Sequence, residues 1–241
     1  MNANKPTILL VDDECEIRNM LRIVLNLEDY DVIEAETGEA ALQTIGTRAL
    51  GLIVLDLRLP DMDGMQIIAE TRQFSNVPIV VLTASTEDHD LVQALKKGAN
   101  DYVTKPFNLD VLLARISANL RTHDVPLPDT GTLSNGRIKI DLERHEVHVD
   151  GQLTAFSPKE FDLLSAFVRN KGKMMTHRQI LREVWGPSHT DDTHYIRVYL
   201  GQVRAKLARV GDFGSAIVCE QGVGYRMDVL SDDTALSGHH A

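Results

Sequence analysis

The 241-residue sequence predicts an α/β unit on a five-stranded parallel sheet, then a smaller α+β unit with three helices and a Gly-containing hairpin. Three observations predict it. Short apolar runs alternate five times with amphipathic stretches over the first half. Residues 121–131 then carry Pro126, Pro128, Asp129, Thr130 and Gly131 without periodicity, a linker composition. Finally, residues 1–122 hold 19 Asp and Glu against 11 Lys and Arg, a net of −8, whereas residues 169–226 hold 10 Lys and Arg against 5 Asp and Glu, a net of +5. The overall charge of −10 hides a basic stretch, and halves of opposite sign imply different partners.

In chain order, strands are predicted at Thr7–Val11, Asp31–Ala35, Leu52–Leu57, Pro78–Thr83 and Asp101–Thr104. Three are continuous apolar runs, as strands buried on both faces are. Helices are predicted at Glu14–Leu27, Gly38–Thr47, Met65–Gln73, Glu87–Lys97 and Leu109–Leu120. Beyond the linker, Arg137–Leu142 and Glu146–Gly151 alternate apolar with polar, the pattern of a small antiparallel sheet. Ser157-Pro158-Lys159-Glu160 is a capping box with Pro at the first helical position, and it opens a helix to about Asn170. Helices over Thr176–Val184 and Thr193–Arg209 follow, then a hairpin over Ile217–Val229 turning at Gly222-Val223-Gly224. The polar end, Ser231–Ala241, is expected to fray.

Composition excludes several classes. At 43% hydrophobic and 25% charged, the chain is neither disordered, collagen-like nor coiled-coil. No apolar run approaches the ~20 residues of a membrane helix, so no membrane insertion is expected. The apolar run after Met1–Pro6 is too short and wrongly flanked for a secretory signal. Two distant cysteines, Cys15 and Cys219, exclude a disulfide framework and point to a reducing cytoplasm.

The chemistry gathers at one sheet edge. Asp12 and Asp13 follow the first strand, Asp56 lies near the end of the third, Thr83 ends the fourth and Lys105 follows the fifth. Ligands of such sheets bind beyond the carboxyl ends of the strands. Three adjacent carboxylates repel one another and call for a cation, and oxygen-only donors suit Mg²⁺. A carboxylate beside such a metal can attack phosphorus, with a hydroxyl and an ammonium as partners for the phosphoryl oxygens. Loop solvation or helix capping is the competing explanation. It is accepted for Glu14, whose carboxylate complements a helix dipole, and not for the remaining set.

"ILLVDDE", "LIVLDLRLPDMDG", "PIVVLTA" and "GANDYVTKPF", in this order, resemble the receiver domain of two-component response regulators over residues 6–121. The resemblance implies a flavodoxin-like sheet of order 2-1-3-4-5, with Asp56 as phosphoacceptor, Mg²⁺ on Asp12, Asp13, Asp56 and the Arg58 carbonyl, and Lys105 paired with the phosphate. It also implies Thr83 and Tyr102 as the switch pair, and a cis Lys105–Pro106 bond. Two rivals fail on residues. Asp61-Met62-Asp63-Gly64 echoes a Ca²⁺ loop, but Leu59 and Pro60 occupy its opening positions. A haloacid-type phosphatase needs an Asp where Arg58 stands. Gly64 and Gly98 read as turn punctuation.

On the predicted third helix, Ile196, Leu200, Val203 and Leu207 form the buried stripe, leaving Arg197, Val198, Gly201, Gln202, Arg204, Ala205 and Arg209 outward. Basic and amide groups flanking small residues suit a major groove. "FSPKEFDLLSAFVRNKGKMMTHRQILREVWG", "YIRVYLGQVRAKL" and "VCEQGVGYRM" resemble the winged helix-turn-helix domain of OmpR/PhoB-type regulators over residues 131–229. That resemblance implies an N-terminal four-stranded sheet, a recognition helix near 193–208 and a wing near 219–226. Residues 122–130 would be the linker and 230–241 a disordered tail. Tyr195, Arg197, Gln202, Arg204, Lys206 and Arg226 are the candidate DNA contacts, and Trp185 a core residue with its N–H paired. Within the family, the sequence is most similar to regulators of potassium-transport operons.

The implied partners are a sensor histidine kinase, double-stranded promoter DNA, RNA polymerase and, when phosphorylated, a second copy of the chain. Leu91, Leu95, Asp101, Val111 and Arg115 mark the dimer face. Leu91 and Val111 stand where the family has a Lys/Glu pair, and Asn100 where it has Asp, so a more apolar face is expected, with Asp101 and Arg115 as a cross-dimer pair. An Asp-nucleophile phosphatase and a receiver scaffold that does not bind DNA are the alternative functions.

Overall fold

The computed structural model describes residues 5–84, 88–124, 131–186, 189, 192–211 and 213–231. The chain forms two compact units that divide after Asp124. In the first, β1 (Thr7–Val11), β2 (Asp31–Ala35), β3 (Leu52–Asp56), β4 (Ile79–Thr83) and β5 (Asp101–Thr104) form a parallel sheet of order 2-1-3-4-5. Between and after them run α1 (Cys15–Leu27), α2 (Gly38–Thr47), α3 (Gly64–Thr71), α4 (Asp88–Lys97) and α5 (Leu109–Asp124). Every residue of β3 and β4 is buried, which is why these strands are apolar throughout rather than alternating.

Each sheet face takes alternate residues. Ile8, Leu10, Leu52, Val54, Val80 and Leu82 pack against Leu21 and Leu25 of α1 and Leu112, Ile116 and Leu120 of α5. The alternate residues Leu9, Val11, Ile53, Leu55, Ile79 and Val81 are fully buried as well. Most elements fall within two residues of their sequence-predicted bounds. The exception is α5, which runs on to Asp124 rather than ending at Leu120.

Two side chains fasten loops of this unit. The guanidinium of Arg72 donates to the carbonyls of Gly98 (2.9 Å), Ser75 (3.1 Å) and Val77 (2.8 Å) and to Oδ1 of Asn100 (2.8 Å). That Oδ1 also accepts the Ile79 N–H at 3.0 Å, and Asn100 is buried. Asn100, marked from the sequence as a departure on the dimer face, therefore lies in an internal network. The carboxylate of Asp61 accepts the N–H groups of Gly38 and Glu39, both at 2.9 Å, capping α2 from the β3–α3 loop. Asp63 caps its own helix through the Met65 N–H at 2.8 Å. The acidic run that echoed a Ca²⁺ loop thus serves two helix N-termini.

The second unit starts with an antiparallel sheet of β6 (Thr132–Asn135), β7 (Ile138–Asp141), β8 (Glu146–Val149) and β9 (Gln152–Leu153). Helices α6 (Pro158–Arg169), α7 (His177–Val184) and α8 (Thr193–Gly211) follow. A sheet of order β10-β12-β11 closes the unit, from β10 (Met174–Thr176), β11 (Ile217–Glu220) and β12 (Gly224–Met227). The Glu160 carboxylate accepts the Ser157 N–H at 2.5 Å, as the capping box predicts. Gly224 sits against β10 so closely that a Cβ there would lie 2.0 Å from the Met175 carbonyl oxygen, which explains the glycine. Trp185 is buried between Tyr195 and Tyr199, but its indole N–H has no partner among the described residues, contrary to expectation. The expected linker and frayed tail fall chiefly on residues 125–130 and 232–241, outside those described.

Asn100→Ala is expected to lower stability by about 1–3 kcal/mol in urea unfolding, because it leaves the Ile79 N–H and one Arg72 donor without an acceptor. Asn100→Asp keeps the acceptor and is expected to unfold at higher urea than the alanine variant.

Candidate functional site

The parallel register brings the predicted residues to one edge. Val11 pairs with Leu55, Asp56 with Leu82 and Thr83 with Thr104, so the ends of β1, β3, β4 and β5 are level. Ligand atoms of Asp12, Asp13 and Asp56 lie within 4.8 Å of one another. Asp12 and Asp56 are buried and Asp13 is exposed. Ending β3 at Asp56 places this carboxylate at the last strand position. There Gly64 packs so tightly that a Cβ would meet the Asp56 carbonyl oxygen at 2.7 Å. Gly64 is therefore a close-approach residue behind Asp56, more than the turn punctuation its sequence context suggests.

One ammonium holds the cluster. Lys105 Nζ donates to Asp56 Oδ2 at 2.6 Å, Asp12 Oδ2 at 2.8 Å and Glu14 Oε1 at 3.1 Å. Its backbone N–H donates to the Thr83 carbonyl at 2.6 Å, and the Lys105–Pro106 bond is cis, as expected. The second oxygens are held by the chain: Asp12 Oδ1 accepts the Glu14 N–H and Asp56 Oδ1 the Arg58 N–H, both at 2.9 Å. Burial pushes the Asp12 carboxyl above its ordinary range, and the neighbouring Asp56 adds to this against the pull of Lys105. Burial also disfavours a charged Lys105, but its bonds to Asp12 and Asp56 outweigh that and hold it protonated well above a free lysine. Glu14, assigned to helix solvation from the sequence, is thus also a partner of Lys105. Thr83 is buried at the same edge, and Tyr102 is half-buried on β5.

The residues expected at a dimer face differ in exposure. Leu91 and Leu95 are buried in the unit's own interior, and only Val111, at 44% exposure, offers an apolar surface. Asp101 is fully buried and accepts from Arg115 Nη1 of the same chain at 2.6 Å and from Asn119 Nδ2 at 3.3 Å. The pair expected to bridge two copies is an internal one here.

In the second unit, Ile196, Leu200, Val203 and Leu207 are buried as the helical wheel requires. Tyr195 is not available to DNA: its ring is fully buried against Trp185, with centroids 5.6 Å apart, and against His189 and His194. Lys206 is turned inward, bonded to buried Glu160 at 2.5 Å and 5.3 Å from the centre of the Phe156 ring. Arg204 donates to the Ile217 carbonyl at 2.6 Å and lies 5.8 Å over the Tyr225 ring, tying α8 to the hairpin. Arg226 pairs with Asp228 at 3.0 Å and remains partly exposed. Arg197, Gly201, Ala205 and Arg209 are exposed along α8, Gln202 is half-buried beside them, and nothing stands within 4 Å of a Cβ built on Gly201.

An acidic pocket that keeps one lysine between two buried aspartates, in a chain that also carries a helix-turn-helix unit with a hairpin wing, defines a phosphorylation-controlled transcription regulator. Residues 8–117 match the response regulator receiver domain and 151–227 the C-terminal domain of transcriptional regulatory proteins. The chain belongs to the two-component response regulators of the OmpR/PhoB type. It is 38% identical over 222 residues to the transcriptional regulatory protein KdpE of Mycobacterium tuberculosis, covering 92% of this chain and 98% of that protein. The Escherichia coli KDP operon regulator KdpE is 39% identical over 219 residues, covering 91% and 97%. The response regulator MtrA of Mycobacterium tuberculosis is 36% identical over 226 residues, covering 94% and 98%. Among solved structures, a RitR mutant aligns with a TM-score of 0.76 at 28% identity, covering 92% and 99%, and DrrB of Thermotoga maritima with 0.51 at 27%, covering 93% and 100%. No helix among the described residues is long and apolar enough to cross a membrane.

The Asp61 cap fixes the direction of one acid effect. Hydrogen bonds from Gly38 and Glu39 lower its pKa from 3.8, so its contribution to stability is full above that value and is lost as pH falls through the lower folded value. The stability difference between the wild type and Asp61→Asn, measured in urea, is expected to be constant from neutral pH to about pH 5 and to shrink below about pH 3.

Proposed function

We propose that Asp56 accepts a phosphoryl group from the phosphohistidine of a sensor kinase. The observation that carries this reading is the Lys105 ammonium, 2.6 Å from Asp56 and 2.8 Å from Asp12, at the mouth of a three-carboxylate pocket. The donor set is all oxygen, which fits Mg²⁺; Asp12, Asp13, Asp56 and the Arg58 carbonyl would hold it. When bound, Mg²⁺ supplies neutralisation of charge on the phosphoryl oxygens. An Asp56 carboxylate oxygen attacks phosphorus, the bond to the kinase imidazole breaks, and an acyl phosphate remains. Lys105 exchanges a carboxylate oxygen for a phosphoryl oxygen, keeping the added charge of about −1.5 to −2 paired. Thr83 then bonds the phosphoryl group and Tyr102 turns into the space it leaves, shifting a pre-existing equilibrium.

The reading continues to DNA. Receivers spanning residues 6–121 would dimerise when phosphorylated, through a face on which Val111 is the exposed apolar group. Two effector domains, residues 131–229, would then bind repeated half-sites with raised effective affinity and contact RNA polymerase. Arg197, Gln202 and Arg226 are retained as DNA contacts, and Arg204 as the brace between α8 and the wing. The similarity to the KdpE proteins supports potassium-transport promoters as targets, and the cytoplasm as the compartment.

Incubation with a small acyl-phosphate donor and Mg²⁺ is expected to retard the protein on a phosphate-affinity gel. Asp56→Asn should abolish the retardation; a shift that survives this change sinks the assignment. Gly201→Gln should leave the effector domain as stable or stabilise it by up to about 1 kcal/mol, because glycine is a poor helix former. The same change should weaken duplex binding by about tenfold or more, since the added side chain stands where the helix must approach the groove. Undiminished binding would remove α8 from the DNA interface.

A further inference from the structure

Arg18 is the one described arginine buried to within 6% exposure, and it borders the acidic pocket without belonging to it. It sits on α1, one turn beyond the β1–α1 loop that carries Asp12 and Asp13. Its Nη1 donates to the carbonyl oxygens of Asp12, at 2.8 Å, and of Asp13, at 2.9 Å. Its Nη2 pairs with Glu36, and its Nε lies 3.5 Å from Glu34 Oε2. Glu34 is held in turn by Arg22 at 2.7 Å. One guanidinium therefore hydrogen-bonds two consecutive loop carbonyls and Glu36, with Glu34 at ion-pair distance from Nε.

From this arrangement we infer that Arg18 is a positioning residue for divalent-cation binding, acting by holding the Asp12 and Asp13 peptides so that both carboxylates converge on Asp56. The inference rests on reading Asp12, Asp13 and Asp56 as the Mg²⁺ pocket. The physical need is specific. The three carboxylates repel one another, and the Asp13 carboxylate has no hydrogen-bond donor among the described residues. With its backbone free, the loop would relieve the repulsion by swinging Asp13 into solvent. Carbonyls past the end of a strand have left the sheet ladder and need another donor, and Arg18 supplies both bonds at once. A lysine could not span two carbonyls and a carboxylate with the same planar fork. Glu34 and Glu36 offset the guanidinium charge, so the brace does not itself repel the cation.

The test is calorimetric titration of the full-length, unphosphorylated protein with Mg²⁺. Arg18→Lys and Arg18→Gln are expected to weaken Mg²⁺ binding by about tenfold or more, the usual scale when a partner that orients metal ligands is lost. Glu36→Gln removes the charge that pairs with Nη2 but leaves the carbonyl bonds and Glu34, so its dissociation constant should stay within about twofold of wild type. Thermal unfolding of each variant separates this effect from general destabilisation. Should Arg18→Gln fail to fold, Arg18→Lys, which keeps the charge, carries the comparison. Unchanged Mg²⁺ affinity in Arg18→Lys, or an equal loss in Glu36→Gln, overturns the positioning role. A wild-type protein that takes up no Mg²⁺ overturns the pocket reading itself and this inference with it.

Discussion

The first unit is organised around an electrostatic conflict: carboxylates crowd the carboxyl edge of a sheet whose strands are otherwise apolar. A single ammonium resolves it in the resting protein. Lys105 reaches Asp12, Glu14 and Asp56 at once, and burial makes its bonds to the two aspartates stronger than they would be in water. Removing two charges from solvent costs several kcal/mol per ion, so the pairing holds only where geometry is fixed in advance. Much of the loop structure around the edge serves that fixing. Gly64 packs onto the backbone of Asp56, Asp61 anchors the β3–α3 loop to α2, and the Lys105 N–H bonds the end of β4.

The same arrangement bears on reactivity. A phosphoacceptor must be ionised to attack and desolvated enough to be nucleophilic. Asp56 is buried yet bonded on both oxygens, one to Lys105 and one to the Arg58 N–H. In the proposed transfer, the lysine that pairs with the carboxylate at rest is also the group best placed to receive charge afterwards, alongside the movements of Thr83 and Tyr102.

The architecture and the acidic pocket were legible from the sequence because both rest on local patterns: five apolar runs of about five residues, and chemical groups at their carboxyl ends. What was not legible depends on tertiary partners. Lys206 reads as a candidate DNA contact until Glu160, 46 positions earlier, is seen to meet it. Tyr195 lies one residue off the Ile196-Leu200-Val203-Leu207 stripe, and only the packing of Trp185 widens the buried arc to include it. The three-residue strand β10 has no alternation to betray it. Asp101 and Arg115, read as a pair from the sequence, meet within one chain, which their spacing alone does not reveal. Arg18 did leave a signal: it shares the helical face of Leu21 and Leu25, a charged residue within a buried stripe.

The two sides of α8 are under different obligations. Its inner residues, from Tyr195 and Ile196 to Leu207, hold the unit together, whereas Gly201 and Ala205 are exposed, with open space around a Cβ built on Gly201. Substitutions on the bare side leave the core of this unit and the hairpin brace through Arg204 intact. With α8 as the proposed DNA-reading helix, promoter preference could drift in single steps after a gene duplication while signal reception stays fixed. A lineage can rewire which genes answer a kinase without first having to rescue the fold.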